Sequence, residues 1–193
     1  SNPSHFKGAQ LPVERVSWED CQEFLGKCAM SGMRVRLPHE DDWEYACRGG
    51  KGNAQPFYWG DTLNGDKANC DGHYPYGTTV KGASLERTTP VGNYEKVAPH
   101  PWGLCDLHGN VFEWCENLYS AKRGGENKVE ARGTKSQSGG YRVLRGGSWS
   151  KLSRSCRAAY RYCSLPNDRG LVFGFRVLLR AENEGVFSSH SET

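Results

Sequence analysis

Val143-Leu144-Arg145-Gly146-Gly147-Ser148-Trp149 is the stretch on which the reading of this chain turns. Tyr141, Val143 and the residues up to Arg145 carry a strand signal that runs into a glycine pair. A second strand signal covers Phe175 to Leu179. The residues between them show little periodicity and contain Pro166 and the charged pair Asp168-Arg169. A long irregular loop held between core strands normally carries function.

Upstream, Trp102 to Trp114 is a compact block rich in apolar residues, and residues 120–139 are polar and glycine-rich, as an exposed loop would be. From residue 50 to 140, Pro and Gly punctuate turns and short extended segments. Helical patterning is confined to the first fifty residues. Pro3 and Pro12 keep residues 1–15 extended. Ser17 is placed as an N-cap with Asp20 three residues on, and Val16 and Cys21 as a hydrophobic staple. Cys21, Phe24, Leu25 and Cys28 then share one face, so the first helix is predicted over 18–29, ended by Ser31-Gly32. Val35 and Leu37 form a short extended piece. Pro38 opens a second helix, with Glu40, Asp41 and Asp42 where the dipole favours negative charge. Its apolar face is Trp43, Ala46 and Cys47, and Gly49-Gly50 stops it.

Composition agrees with a loop-rich α+β domain. The chain has 193 residues, 24 of them Gly and six Trp, and 36% are hydrophobic, which suits one domain with a buried core. A single domain over 1–193 is expected, with 181–193 as a polar tail. The net charge of +3 is too mild, and its arginines too interrupted, for a nucleic-acid partner. No apolar run approaches a membrane span, and Ser1 to His5 do not read as a signal peptide. The eight cysteines contain no Cys-x-x-Cys pair, so a zinc ribbon is not indicated. Cys21, Cys28 and Cys47 are expected as small buried hydrophobes.

Several segments carry a family resemblance: Pro12 to Trp18, Arg36-Leu37-Pro38-His39-Glu40 with Trp43-Glu44-Tyr45-Ala46, Gly103-Leu104, Gly109-Asn110-Val111-Phe112-Glu113-Trp114, Val143 to Trp149, Cys156-Arg157 and Gly174-Phe175-Arg176-Val177. In this order they resemble the formylglycine-generating-enzyme (sulfatase-modifying factor) domain family, from about residue 12 to 180. The resemblance implies a C-type lectin-like fold with two short helices and short antiparallel strands. The family's N-terminal strand region has no counterpart in the stretch before residue 12.

The enzymes of that family oxidise a substrate cysteine at two closely spaced cysteines with copper, and soft Cu(I) requires thiolates. Aligned backwards from Gly174-Phe175-Arg176 through Arg161, the second cysteine's place falls at Ser153. The region of the first holds Ser150 and Lys151. Neither offers sulfur, and Cys156 and Cys163 lie out of register, so no catalytic residue and no copper is expected. Sulfoxide synthases of the family also need an iron-binding histidine set. His5, His39, His73, His100, His108 and His190 supply no such spacing, so no iron is expected. Asp106 and His108 are read as a structured turn. The resemblance implies a structural calcium on the oxygens of Gly109, Asn110, Val111 and Glu113. Arg145, Arg157, Arg161 and Arg176 are read as braces for irregular backbone.

Two tetrads stand out in the loop: Tyr162-Cys163-Ser164-Leu165 and Gly170-Leu171-Val172-Phe173. Clustered apolar groups on an exposed loop indicate a contact site. Part of the family resembles the variable proteins of diversity-generating retroelements, whose mutagenised codons cannot reach Lys, Met, Gln, Trp or Glu. All eight tetrad residues, and Ser150, Leu152 and Ser155 at the margin, lie within the reachable set. Lys151 does not. The reading is therefore a non-catalytic ligand-binding domain whose C-terminal loop meets a protein or cell-surface ligand. An oxidative enzyme and an accessory sensor domain are the alternatives.

Overall fold

The computed structural model describes residues 1–28, 33–121 and 140–181. The helix stop expected at Ser31-Gly32, the expected loop over 120–139 after residue 121, and the tail after residue 181 lie outside the described residues.

The first helix, α1, spans Trp18–Lys27. Ser17 Oγ accepts the Asp20 N–H at 3.0 Å, and Asp20 Oδ2 accepts the Ser17 N–H at 2.9 Å. This reciprocal box satisfies two donors that the first turn otherwise leaves open. Val16 and Cys21 meet in the same core, as the staple requires. Phe24 departs from the expected apolar face. It is half exposed, its ring edge-on to Phe175 at 5.5 Å. Strand β1 is Met33–Arg36, one register earlier than Val35 and Leu37 suggested. Helix α2 is Glu40–Cys47, and His39 rather than Pro38 sits at its cap, with Nδ1 accepting the Asp41 N–H at 3.2 Å. Trp43 and Cys47 are buried as expected, whereas Cys28 is only half-buried at the end of α1.

The main sheet has strands β2 (Phe112–Leu118), β3 (Arg142–Arg145), β4 (Tyr162–Ser164) and β5 (Phe173–Gly174), in the order β4-β3-β2-β5. β2 pairs antiparallel with β3, Glu113 opposite Arg145 and Trp114 opposite Leu144, and parallel with β5 through Phe112 and Phe173. Strand β6, Leu178–Ala181, pairs with β1 in a second, two-stranded sheet.

Two of these strands escape the sequence signals for a physical reason. β2 is covered on both faces. Phe112 and Trp114 enter the core that holds Leu37, Leu144 and Phe173, while Cys115 enters the one that holds Trp43, Leu107 and Val143. A strand buried on both sides loses the polar–apolar alternation by which strands are read. β4 is only three residues long. The expected strand over Phe175 to Leu179 is a correction of a different kind. Strand pairing occupies 173–174 and 178–181, and the residues between them carry Arg176 down to Glu113.

Candidate functional site

The irregular loop between β3 and β5 is held by one buried arginine, Arg145, and two half-buried ones, Arg157 and Arg161. Arg145 is fully buried. Its Nη1 donates to the Tyr160 carbonyl at 2.8 Å, and its Nη2 to the Ala158 carbonyl at 2.8 Å and to Glu44 Oε2 at 2.5 Å. Arg161 grips Glu40 through Nε and Nη2 and reaches the Ser120 carbonyl at 2.7 Å. Arg157 donates to the Arg154 carbonyl and lies over the Tyr76 ring. A planar guanidinium can tie several carbonyls at once, so backbone without regular hydrogen bonding is still held in one shape. The Gly-Gly turn serves the same end. Gly147 has φ 79, and a Cβ there would lie 2.9 Å from Cys156 Cα, so only glycine fits.

On this support the two tetrads stand differently. Tyr162 is 36% exposed and Leu171 42%. Cys163, Ser164, Leu165, Gly170 and Val172 are half-buried. Asp168 fixes the first turn by accepting from Ser164 Oγ and from the Leu165 N–H. Phe173 is a correction. It is 8% exposed and packs against Trp114 at 5.4 Å, because β5 must place it under β2. At the margin, Ser150 is exposed, Leu152 is half-buried, and Ser155 is buried inside the 3-10 turn Ser153–Cys156.

Ser153, where the sequence resemblance would place the family's second catalytic cysteine, is buried, with its Oγ 3.3 Å from Cys70 Sγ. Cys156 adjoins them in the same core. The neighbouring Cys156 thiol lowers the Cys70 pKa, and Cys70 together with burial raises that of Cys156. Sequence reading had no signal for Cys70, which is brought beside Ser153 only by the bridge between Asp71 and Leu152. His108 is buried as well. Its Nε2 accepts the Tyr58 N–H at 3.3 Å, so Nδ1 carries the proton and donates to the Cys156 carbonyl at 2.6 Å. Burial holds this imidazole down to a pKa of about 3.

Among the four calcium candidates, the side-chain oxygens of Asn110 and Glu113 are engaged by N–H donors. Asn110 Oδ1 accepts the Thr89 N–H at 3.0 Å, and its Nδ2 donates to the Thr89 carbonyl at 3.2 Å. Glu113 takes Trp43 Nε1 at 2.6 Å and a bidentate grip from Arg176 at 2.5 and 2.6 Å. Side-chain oxygens facing N–H donors are poorly placed to face a cation, which wants six to eight free oxygens. Among the described residues no group of three or more His, Cys, Asp or Glu side chains could hold a metal ion. Replacing Glu113 by Ala should therefore cost about 3 kcal/mol, through the half-buried Arg176 and the buried Trp43 left without their acceptor. The loss should be equal in calcium and in EDTA. A loss confined to the calcium sample in thermal melts would restore the cation reading.

Beside these residues opens a cavity of about 340 Å³ lined by Pro12, Val13, Val91, Cys105, Asp106 and Phe175 together with Asn110, Val111, Glu113 and Arg176. Asp106, read from sequence as part of a turn, is its carboxylate. Asp106 Oδ2 accepts the Gly92 N–H at 2.8 Å, and burial pushes its pKa up.

A family profile described as "Sulfatase-modifying factor enzyme 1-like domain" matches residues 1–181. The formylglycine-generating enzyme of Streptomyces coelicolor is 35% identical over 173 residues, which cover 86% of this chain and 51% of that protein. The inactive C-alpha-formylglycine-generating enzyme 2 of Bos taurus is 31% identical over 174 residues, 86% of this chain and 50% of that protein. The chain thus spans about half the length of these curated relatives. Among solved structures, PvdO from Pseudomonas aeruginosa superposes with TM-score 0.69 at 26% identity, over 92% of this chain and 65% of its own. Treponema denticola variable protein 1 superposes with TM-score 0.68 at 23% identity, over 94% and 78%.

Proposed function

We propose, from the premise that this chain belongs to the sulfatase-modifying factor enzyme 1-like domain family, that it is a non-catalytic ligand-binding domain whose ligand face is the loop between β3 and β5. The fold is the C-type lectin-like one that the resemblance implied. The family holds both formylglycine-generating enzymes and a relative named as inactive, so membership by itself decides neither way.

One observation carries the reading. Seven of the eight tetrad residues, all but Phe173, are at least partly open to solvent on a loop tied down by the buried Arg145 and the half-buried Arg161. Such a platform lets side chains change without unfolding the frame. Tyr162 and Leu171 are the anchors, since a ring and a branched side chain cover large area at small entropy cost. Their truncation would weaken binding by about 2 kcal/mol each. Val172, Leu165, Ser164, Cys163 and Gly170 complete the face, with Ser150 and Leu152 beside it. Phe173 and Ser155 support it from below. The partner is a protein or cell-surface ligand, and among the described residues no helix is long and apolar enough to cross a membrane. Ser153, with its hydroxyl where the family's catalytic sulfur would stand, supports the absence of oxidase chemistry.

Genetic and chemical tests are both direct. If the face is diversified, sequencing the gene across a population should find changes at codons 150, 152, 162–165 and 170–172, with Arg145, Arg161 and Phe173 constant. The double variant Tyr162→Ser, Leu171→Ser should stay within about 1 kcal/mol of the parent in urea unfolding. Phe173→Ser alone should cost about 3 kcal/mol or more. A cysteine-bearing sulfatase-type peptide with Cu(I) should keep its thiol. Conversion of that cysteine to formylglycine, followed by mass spectrometry, would reject the non-catalytic reading.

A further inference from the structure

The cavity beside β2 is separate from the loop face and is built differently. Its rim is apolar: Val13 is 40% exposed, Val91 55%, and Phe175 is half-buried. Its floor is charged. Three ionisable side chains of opposite sign line it, Asp106, Glu113 and Arg176. They do not cancel. Arg176 spends Nε and Nη2 on both oxygens of Glu113, and Nη2 also reaches the Cys105 carbonyl at 3.0 Å. The guanidinium and the Glu113 carboxylate therefore neutralise one another in place. Asp106 is left as the excess charge, held by one backbone N–H from Gly92.

The backbone fixes where that charge points. Asp106 sits at φ 56, a left-handed conformation uncommon outside glycine. Val91 N–H bonds to the Gln10 carbonyl at 2.8 Å, which ties the Gly92 segment to the N-terminal arm. The walls are thus set before any ligand arrives. A volume of about 340 Å³ lies at the small end of ligand pockets, which suits a compact molecule.

We infer that this cavity is a binding site for a compact organic ammonium, with the ammonium on Asp106 and the apolar body between Val13, Val91 and Phe175. An anion would meet the unpaired carboxylate at short range in partly desolvated surroundings. A neutral molecule would gain the apolar contacts but leave Asp106 with water removed and no new partner. An ammonium satisfies the carboxylate by a charge-assisted hydrogen bond.

The probe is 2-phenylethylammonium, titrated calorimetrically into the full chain. Its neutral analogue 2-phenylethanol and the anion 3-phenylpropionate are run beside it. Saturable binding of the ammonium is expected, with the alcohol about tenfold weaker or more and the anion undetectable. Asp106→Asn should bring ammonium binding down to the level of the alcohol. Val91→Lys provides a second variant at an exposed position. Its tethered ammonium should compete for Asp106 and abolish binding without loss of fold by circular dichroism. Equal affinity for alcohol and ammonium would overturn the proposal, as would binding unaffected by both variants or no saturation into the millimolar range. Displacement of the ammonium by millimolar calcium would also overturn it, because the carboxylate would then serve a hard cation. None of these outcomes bears on the loop face, whose variants lie elsewhere.

Discussion

Arg145→Ala should remove about 3–5 kcal/mol of stability. A domain of this size has about 5–15 kcal/mol in all, so the variant should be largely unfolded in mild urea. The reason lies in what the guanidinium holds. It is fully buried, and it satisfies the carbonyls of Ala158 and Tyr160 as well as the Glu44 carboxylate. Its plane also faces the Trp43 ring at 5.2 Å. Truncation would leave two loop carbonyls without this donor and a buried carboxylate with one cation fewer. The loop that carries the proposed ligand face would lose its floor with it. Arg145→Lys should recover only part of the loss, since an ammonium cannot reach three acceptors in one plane. Urea unfolding at neutral pH measures both variants. A loss below about 1 kcal/mol in the Ala variant would show that the loop holds its shape without the arginine.

Acid should destabilise the fold through His108. In the folded chain the ring is buried, accepts from Tyr58 and donates to the Cys156 carbonyl, and its pKa is about 3 against an ordinary 6.5. The neutral form is thus the one the fold accepts. Above pH 6.5 the ring is neutral in both states and contributes no pH dependence. As pH falls from 6.5 towards 3, the unfolded chain binds a proton that the folded chain refuses. Stability then drops about tenfold in the folding equilibrium per pH unit, or about 3 kcal/mol by pH 4.5. His100, lowered mainly by its own burial, adds in the same direction. His108→Gln offers an acceptor and a donor without a titrating ring, so its unfolding free energy should vary less between pH 6.5 and 4.5 by that amount. An unchanged slope in the variant would assign the acid sensitivity to other groups.

The elements differed in how readable they were. α1 was legible because its signals are local. Ser17, Asp20, Val16 and Cys21 lie within six residues, and each acts through a neighbour in the chain. α2 and the strand at 142–145 were legible on the same ground. β2 was not, because burial on both faces erased its alternation. The residues after Phe173 were read as one strand where pairing is interrupted, since Arg176 obeys Glu113, sixty-three positions away.

The candidate site divides along the same line. The loop was identified from length, missing periodicity and apolar tetrads. Which tetrad members face solvent was not in that pattern. Tyr162 and Phe173 are both aromatic, yet one stands at the surface and the other is held under Trp114 by strand pairing. The oxygens of the calcium candidates were illegible for a similar reason. Asn110 and Glu113 are oxygen donors by composition, but their oxygens were claimed by Thr89, Trp43 and Arg176 from distant parts of the chain. Asp106 reads in the sequence as part of a turn, and its cavity forms where the N-terminal arm, Val91, Cys105, β2 and the segment after β5 meet.

By itself, then, the sequence determined the two capped helices, the loop-rich α+β class, the family, and the lack of sulfur at position 153. These follow from residue types and short spacings, which act through local backbone preferences and hydrophobic period. The tertiary structure alone decided the sheet order, the partners of the buried Arg145, the side of the loop that meets water, and the Glu113–Arg176 pairing that leaves Asp106 without a cation in its cavity. Those depend on which partner reaches a buried group first. A buried polar atom takes whatever complementary atom the fold brings within 3 Å, however far away in the chain it lies.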